Sequence, residues 1–547
     1  MSAPILPPTT AGIDPEKFSD DLSFLRNRKV TVILLAIFLV IGFALRVHNL
    51  GAESLSEDEL NKLQTAQEYR VNGLSGKNGE HPFLMKGMQT LSIAASEKIN
   101  EIAASSLISD EAALRFPVAL FGSFTTLLIF LLISELFGRS IGLISAALWA
   151  VEPMAIGFDR IAKEDSLVLF FFLLMLFFWI RGQTLAERGR GNGTWYVWAA
   201  AAAFAALMAS KYYPWLLAVP TAYYGIFLRI PKRKWDMGKR RYLVFLAVMG
   251  LTFVILNPTI LLPDTWREML KFSSENRVGH DGYEYMGQIY PHKMTLWLAG
   301  IPWTFYYVFI AVKTSISTLA LCLFGLPMMF RRKLGDGRFL LFFWAFLWFI
   351  PFSAVGGKFT RYFTIVEPLV LISAAVGFCF SLRWLTAKLL GSSRFALVAQ
   401  VVLFASAISF PLYNSISVTP HFRLFTNSLG GGIAAAGSYF PHDEFYDVAT
   451  RDIVAAIADR ARPGAVTACE TPELFAYYAG KIGREDLTFI SLSDELKVTN
   501  LGTGDFIVLV KGRRYFSNDG YEKALREAIP AAQIEVGGVS AAKVYQL

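Results

Sequence analysis

Residues 166–180 read SLVLFFFLLMLFFWI, an apolar run without a single charged side chain. Two comparable runs are TVILLAIFLVIGFAL at 31–45 and FLLFFWAFLWFIPF at 339–352. With their flanking residues, these runs reach the roughly 17–25 residues that a helix needs to cross a hydrocarbon core of about 30 Å. Only 18% of the chain is charged, against about 25% in soluble proteins. The sequence therefore predicts several helices that span a membrane.

The same pattern along the whole chain predicts about eleven membrane-spanning helices. They are placed roughly at 30–48, 114–136, 140–157, 165–181, 195–209, 213–229, 242–262, 314–330, 339–354, 362–381 and 395–413. Segment 297–312 is also apolar, but counting it would move the basic residues 331–333 to the other side of the membrane. Its tryptophans and tyrosines are typical of a membrane boundary. We therefore interpret it as an interfacial or re-entrant segment.

Basic side chains are concentrated in alternate short connections between these runs. The richest connection, residues 229–241, holds seven Lys or Arg against one Asp. The positive-inside rule then places the amino terminus in the cytoplasm. The net charge of +8 is explained by this topology, so it does not indicate a nucleic-acid partner. Membrane lipids are the expected surroundings.

Four parts of the chain follow from this topology. They are a cytoplasmic tail (1–29), a transmembrane module (30–413) with outer loops 49–113 and 263–313, a linker (414–440) and an extracytoplasmic domain (441–547). Alternating helix-like and strand-like segments predict a small α/β fold for the last part. The predicted fold is therefore a polytopic α-helical membrane protein with a small carboxy-terminal α/β domain.

Ionisable residues collect at the predicted outer membrane surface, where they are costly and usually mark function. Asp58 follows the first helix and could accept the proton of an acceptor hydroxyl. Cations in this region suit the negative charge that develops on a lipid phosphate leaving group; they are Lys86, Arg160, Lys163, Lys211 and Arg361. Because nucleotide sugars are scarce outside the cytoplasm, these groups indicate sugar transfer from a polyprenyl phosphate.

Several motifs occur in this order on the outer side of the predicted bundle. They are SEDEL (56–60), HPFLMK (81–86), LRFPVALFGS (114–123), DRIAKEDSLVLFF (159–171), SKYYP (210–214) and KFTRYFTIVEPLVLI (358–372). Over residues 30–413 the chain resembles the GT-C superfamily of glycosyltransferases. Within this superfamily the chain resembles family 39 protein O-mannosyltransferases and 4-amino-4-deoxy-L-arabinose lipid A transferases. This resemblance implies an inverting transferase that uses a polyprenyl-phosphate sugar donor.

The resemblance also implies roles for individual residues. Asp58 would be the catalytic base, with Glu59 as its neighbour and Asp165 as a second acidic residue of the site. Lys86 and Arg361 would hold the carrier phosphate. The motif YFPHDEFYD (439–447) looks like a subfamily marker, and its role does not follow from the sequence.

The histidines of the outer loops raise the question of a metal. Glu80, His81, His280 and His292 could bind a divalent ion, since imidazole and carboxylate suit zinc. No HxxxH-type spacing supports such a site, so a structural or substrate-contact role is favoured, and His81 is grouped with the carrier-binding residues. A divalent metal stays open as the one candidate cofactor.

Two other classes of function compete with the transferase. A transporter or flippase of a lipid-linked sugar would show repeats and polar groups near the membrane midplane, whereas here the polar groups lie at the outer ends of the helices. A simple membrane anchor for the carboxy-terminal domain would not need eleven helices. A bacterial inner membrane is the expected location. The sugar and the acceptor (lipid, protein or glycan) stay open.

Overall fold

The computed structural model describes residues 22–187, 193–228, 238–274, 280–386 and 394–547. Most of the expected cytoplasmic tail 1–29 and of the basic connection 229–241 lies outside the described residues. The described chain forms a helical bundle with one mixed β-sheet near its carboxy terminus.

The membrane part consists of helices α1 to α17. They are α1 (Arg28–Val47), α2 (Glu57–Asn72), α3 (Phe83–Ala103), α4 (Asp110–Phe137), α5 (Arg139–Val151), α6 (Pro153–Phe158), α7 (Asp165–Glu187), α8 (Thr194–Ser210), α9 (Ala218–Ala222), α10 (Gly238–Leu256), α11 (Pro263–Ser274), α12 (Phe305–Lys313), α13 (Ile316–Met329), α14 (Gly337–Trp344), α15 (Ile350–Ala354), α16 (Glu367–Leu385) and α17 (Arg394–Val418). Short 3₁₀ or π segments extend several of them, for example Tyr223–Leu228 after α9 and Ala345–Phe349 between α14 and α15.

Six of the described helical segments are long and apolar enough to cross a membrane: α1, α4, α7, α14 to α15, α16 and α17. Three shorter apolar helices, α5, α8 and α13, accompany them. All eleven predicted spans coincide with helical segments, so the prediction of a polytopic helical membrane protein is confirmed. Several segments are interrupted, and Glu152 between α5 and α6 is an example. In segment 297–312 the structure has only α12, whose nine residues are too short to span.

Small residues allow two of the membrane helices to approach closely. A Cβ atom at Gly325 in α13 would overlap the carbonyl oxygen of Ser373 in α16, and one at Gly377 in α16 would overlap that of Leu321. In a bilayer, apolar surface alone does not drive helices together, so close van der Waals packing at small residues is a main source of association. The pair α13 and α16 is therefore closely packed.

The outer loops have their own structure. Loop 49–113 contains α2 and α3, which lie beside α4. Loop 263–313 contains α11 and a two-stranded hairpin, β1 (Gly282–Tyr285) and β2 (Gln288–Pro291). Arg514 of the carboxy-terminal domain contacts this hairpin through Glu284, at 3.1 Å. The outer loops and the carboxy-terminal domain therefore meet above the bundle.

The carboxy-terminal domain is α/β, as predicted. Its strands are β3 (Val466–Cys469), β4 (Thr488–Ser491), β5 (Phe506–Val510), β6 (Ala532–Val536) and β7 (Val539–Gln546), and its helices are α18 (Pro441–Phe445), α19 (Thr450–Ala458), α20 (Pro472–Lys481), α21 (Glu495–Val498) and α22 (Asp519–Ala524). The sheet order is β4-β3-β5-β7-β6, with β3 parallel to β4 and β5, and β7 antiparallel to β5 and β6. The last helix, α22, is short and ends at Ala524.

The predicted linker 414–440 is packed against the bundle. Helix α17 continues into it as far as Val418. Beyond that helix, Phe422 and Leu424 are buried, and the Asn427 side chain donates hydrogen bonds to two carbonyl oxygens near the end of α12. The linker therefore fixes the position of the carboxy-terminal domain relative to the membrane helices.

Candidate active site

Asp58 lies in the first turn of α2, on the outer side of the predicted membrane. The helix begins with a capping box, in which Ser56 Oγ accepts a hydrogen bond from the Glu59 amide (3.3 Å) and Glu59 Oε2 accepts one from the Ser56 amide (2.9 Å). The partial positive charge at a helix amino terminus favours a carboxylate there. The Asp58 side chain is 43% exposed, and it faces a cavity.

Glu59 is buried beside Asp58 and has a different environment. Its carboxylate accepts two hydrogen bonds from Arg115, at 2.9 and 2.7 Å. Its Oε1 atom also accepts a hydrogen bond from the Ala162 amide (2.8 Å). Both oxygens are therefore occupied by protein donors. We assign Glu59 to holding α2, α4 and the 159–164 turn together, and so to positioning Asp58.

Two side chains bind the Asp58 carboxylate directly. Lys163 forms an ion pair with it, and the Tyr446 hydroxyl donates a hydrogen bond to Oδ2 (2.6 Å). Burial on its own would raise the pKa of Asp58, but the positive charges of Lys163 and Arg361, with hydrogen bonds from Lys163 and Tyr446, hold it well below its usual range. Asp58 is therefore ionised at neutral pH.

Asp165, Lys211 and Arg361 form a second charged group. Lys211 Nζ lies 2.9 Å from Asp165 Oδ1, and Arg361 Nε lies 3.8 Å from Asp165 Oδ2. The Arg361 guanidinium also lies over the Phe359 ring, 3.9 Å from its centroid. Within the described part of the chain, the Arg361 side chain donates no hydrogen bond. Its donors are therefore free to bind an anion in the cavity, and a guanidinium binds phosphate in a bidentate manner.

Lys86 and His81 lie in a neighbouring group that does not line this cavity. Lys86 Nζ donates to the carbonyl oxygens of Asn78 (2.7 Å) and Lys77 (3.3 Å), and burial lowers its pKa to about 7. His81 Nδ1 lies 3.5 Å from Glu164, which is ion-paired with Lys62. Neither of these two predicted carrier-binding residues is therefore among the residues that line the cavity with Asp58.

Arg160 also differs from its predicted surroundings. Its guanidinium donates to backbone carbonyls at the end of α1, those of Arg46 (2.8 Å), His48 (2.9 Å) and Asn49 (3.0 Å). The last carbonyls of a helix have no intrahelical donor, so Arg160 satisfies groups that α1 leaves unpaired. The Arg160 guanidinium, which the sequence suggested as a phosphate ligand, is therefore already bound to backbone carbonyls.

The four candidate metal ligands do not come together. Glu80 accepts a hydrogen bond from the Asn78 side chain (2.6 Å) and His81 lies near Glu164, whereas His280 and His292 line the cavity on the other side of Asp58. Among the residues described, no group of three or more His, Cys, Asp or Glu side chains could hold a metal ion. Within the described residues these four side chains therefore do not form one metal site, and the structural or substrate-contact role that the sequence favoured stays a prediction.

The cavity itself has a volume of about 510 Å³, and Asp58, Arg361, His442 and Tyr446 are among the residues that line it. Two of these come from the motif YFPHDEFYD (439–447), for which the sequence suggested no role. Tyr446 and the next residue, Asp447, have positive φ values of 41° and 63°, a conformation that side chains other than glycine rarely adopt. Such strain is often found at functional sites.

The acidic residues of the same motif hold the wall of the cavity. Asp443 accepts hydrogen bonds from the Thr360 amide (2.9 Å) and from the Tyr283 hydroxyl, and Asp447 is ion-paired with Arg513. The dense alternation of acidic and aromatic residues was the only signal in the sequence. Their targets are far away along the chain, so the sequence did not reveal what they bind.

The chain is similar to known proteins in sequence over part of its length and in fold over nearly all of it. Residues 102–261 match the family model described as dolichyl-phosphate-mannose-protein mannosyltransferase. A search of the curated proteins found no match. Among solved structures, the apo form of ArnT from Cupriavidus metallidurans aligns with a TM-score of 0.52 and 16% identity, over 94% of this chain and 98% of its own.

The same enzyme bound to undecaprenyl phosphate aligns with a TM-score of 0.50 and 14% identity, over 95% of this chain and 98% of that chain. At these identities the likeness concerns the fold. Since it extends over both chains almost completely, it includes the carboxy-terminal domain as well as the bundle. This chain is an integral membrane protein with the fold of the GT-C glycosyltransferases, as its motifs indicated.

Proposed function

We propose that this chain transfers a sugar from a polyprenyl-phosphate carrier to an acceptor hydroxyl outside the cytoplasm, with inversion at the anomeric carbon. One observation carries the proposal. The ionised Asp58 carboxylate and the Arg361 guanidinium, whose donors are unused by the described protein, line the same cavity of about 510 Å³. A base and an anion-binding group on one cavity are what a single displacement at a sugar phosphate requires.

In this reaction the acceptor oxygen attacks the anomeric carbon and forms the new glycosidic bond. The bond from that carbon to the phosphate oxygen breaks, and its electron pair stays on the carrier phosphate. Asp58 takes the acceptor proton. Arg361, with Lys211 on the same carboxylate, Asp165, stabilises the negative charge that develops on the phosphate. Attack on the face opposite the leaving group gives inversion.

The comparisons support a lipid-borne donor. The matched family model concerns dolichyl-phosphate-mannose, and the similar ArnT structure holds undecaprenyl phosphate, so both involve a polyprenyl phosphate. The matched range, residues 102–261, includes Lys163, Asp165 and Lys211. The transferred group in the proposal is a hexosyl or pentosyl residue.

We also propose a bacterial inner membrane as the location, with the amino terminus in the cytoplasm. The alternate basic connections support this orientation, because Lys and Arg are enriched in cytoplasmic loops. The active site and the domain from residue 441 onward then face the extracytoplasmic side.

The proposal is tested by Asp58→Asn in the full-length protein, purified into nanodiscs with a labelled polyprenyl-phosphate sugar. Release of the polyprenyl phosphate and labelling of an added acceptor are followed together. We expect the variant to lose about 10²–10⁴-fold in rate, the usual contribution of a general base. Asp264→Asn is the matched control, because this aspartate is exposed on α11. Unchanged transfer in Asp58→Asn would remove Asp58 as the base, and movement of intact lipid-linked sugar without cleavage would favour the transporter.

A further inference from the structure

The carboxy-terminal domain contributes the outer half of the cavity. Ser493, Arg513, Tyr515 and Ser517 line it, opposite the membrane-side residues that include Arg361. None of these four side chains has a part in the transfer step described above. The transfer step therefore does not explain why these four side chains line the same cavity as Asp58.

The outer half of the cavity has a fixed geometry, because Arg513 holds several elements together. Arg513 is buried and forms an ion pair with Asp447. The same guanidinium donates to Glu57 Oε2 (3.2 Å) and contacts His280 Nε2 (3.0 Å). Arg513 thus joins the first turn of α2, the 280–291 loop segment and the carboxy-terminal domain. These contacts preorganise the outer wall.

The wall combines aromatic rings with polar side chains. The His280 ring stacks on Tyr515, with 4.1 Å between centroids and 12° between planes, and the His280 side chain is 28% exposed. Glu57 is 49% exposed, and within the described chain its Oε1 atom accepts no hydrogen bond. The Ser493 and Ser517 hydroxyls lie 2.9 Å apart. The wall therefore offers a flat ring, a carboxylate and hydroxyls within one space.

We propose that this outer half is the acceptor subsite, and that it binds a carbohydrate whose hydroxyl is the nucleophile. The inference rests on the proposed transferase function. A sugar ring has a flat apolar face and a rim of hydroxyls, which match the stacked rings and the surrounding oxygen atoms. The hydroxyl oxygen bonds to the anomeric carbon of the donor, its proton passes to Asp58, and the carrier phosphate leaves with the electron pair.

Two features favour a carbohydrate over other acceptors. The residues from the carboxy-terminal domain on this wall are all polar or aromatic with a polar end, so the wall has no slot for an acyl chain. A peptide binds largely through its backbone, often by adding to a sheet edge. Within the described residues no strand of the five-stranded sheet lines the cavity, and the hairpin contributes only Gly282 and Tyr283 of β1. The sugar can belong to a soluble glycan or to a glycolipid headgroup, since both present the same hydroxyls.

The test measures binding and turnover separately, with the full-length protein in nanodiscs. Saturation-transfer NMR is recorded with three probes: methyl glycosides, a glycolipid with the same headgroup, and a serine-containing and threonine-containing peptide. The variants are Glu57→Gln and Ser517→Ala. Their matched controls are Glu485→Gln and Thr488→Ala, which make the same kinds of change at exposed residues of the carboxy-terminal domain away from the cavity. Donor hydrolysis without any acceptor is measured in parallel.

We expect a glycoside, the glycolipid or both to bind, and we expect about ten- to a hundredfold weaker binding in Glu57→Gln, since it loses a charged hydrogen-bond acceptor. Ser517→Ala should weaken binding by a smaller factor, and the controls should bind like the wild type. Binding of the peptide alone, or glycan binding that is insensitive to both substitutions, would overturn the subsite. A wild-type protein that binds glycans but never cleaves the donor would instead contradict the proposed function.

Discussion

The hydrogen bond from Tyr446 to Asp58 leads to a specific expectation for the pH dependence of transfer. Tyr446→Phe removes one oxygen atom and leaves the ring in place. The lost bond is 2.6 Å long and is donated to a charged acceptor. Hydrogen bonds to charged groups contribute about 1.5–3 kcal/mol.

The lower end of this range applies here. The Asp58 side chain is 43% exposed and keeps its ion pair with Lys163 in the variant. A loss of about 1.4 kcal/mol shifts an equilibrium about tenfold, so protonation of Asp58 should become about tenfold easier. In the proposed mechanism the carboxylate is the active form, so the acid limb of kcat/KM should move to higher pH, while the activity around neutral pH changes less.

The assay follows polyprenyl-phosphate release across a pH series in nanodiscs, with substrate well below KM. Tyr290→Phe is the control, because its hydroxyl donates to Gln288 on the hairpin (2.8 Å) and does not line the cavity. A folded Tyr446→Phe protein whose acid limb superimposes on that of the wild type would refute the role of Tyr446 in holding the base ionised.

Three further predictions concern neighbouring features. Burial lowers the pKa of Lys163 to about 8 despite its contact with Asp58. We therefore expect kcat/KM to fall as the pH rises through about 8, because Lys163 loses its charge. Lys163→Arg should move this basic limb of the pH profile to higher pH. Glu59→Gln should lower the free energy of unfolding by about 3–5 kcal/mol, because Arg115 stays buried without its charged partner. An unchanged thermal midpoint of unfolding would count against the role of Glu59 in positioning Asp58. Val71 lies in loop 49–113 and is 82% exposed. In the Val71→Cys variant the new thiol should react with an impermeant thiol reagent from outside. The three native cysteines are buried, so their background labelling should be low. Labelling only after lysis would reverse the orientation.

The helical membrane module was predictable because hydropathy is a local property. Each apolar run of spanning length must bury its backbone in a helix, whatever its neighbours are. The order of the runs then places SEDEL, DRIAKED and KFTRYF at the same ends of their helices. For this reason the sequence could predict that Asp58, Lys163, Asp165, Lys211 and Arg361 lie on one face. In the structure they form two charged groups, Asp58 with Lys163 and Asp165 with Lys211 and Arg361.

The use made of each charge was not predictable in the same way. Lys86, Arg160 and Arg361 are all cations of the face predicted to be outside, but in the described part of the chain the first two donate to backbone carbonyls and Arg361 does not. Which acceptors surround a cation depends on how loops fold over it. The sequence shows only that a charge is present.

The contacts of the carboxy-terminal domain were also not predictable, because they join residues far apart in the chain. Its strands and most of its helices were predictable from their periodicity, and it was expected to be a separate unit after a linker. Tyr446 nevertheless contacts Asp58, which lies 388 residues earlier in the chain.

The amino-acid sequence by itself determined that this protein is a membrane-embedded helical bundle with an α/β domain and a charged face at one end of the bundle, because hydropathy and periodicity act within single segments. Only the tertiary structure decided that Tyr446, Asp447 and Arg513 complete the site around Asp58. Hydrogen bonds and ion pairs form between groups that meet in space, and that meeting depends on the packing of every element between them.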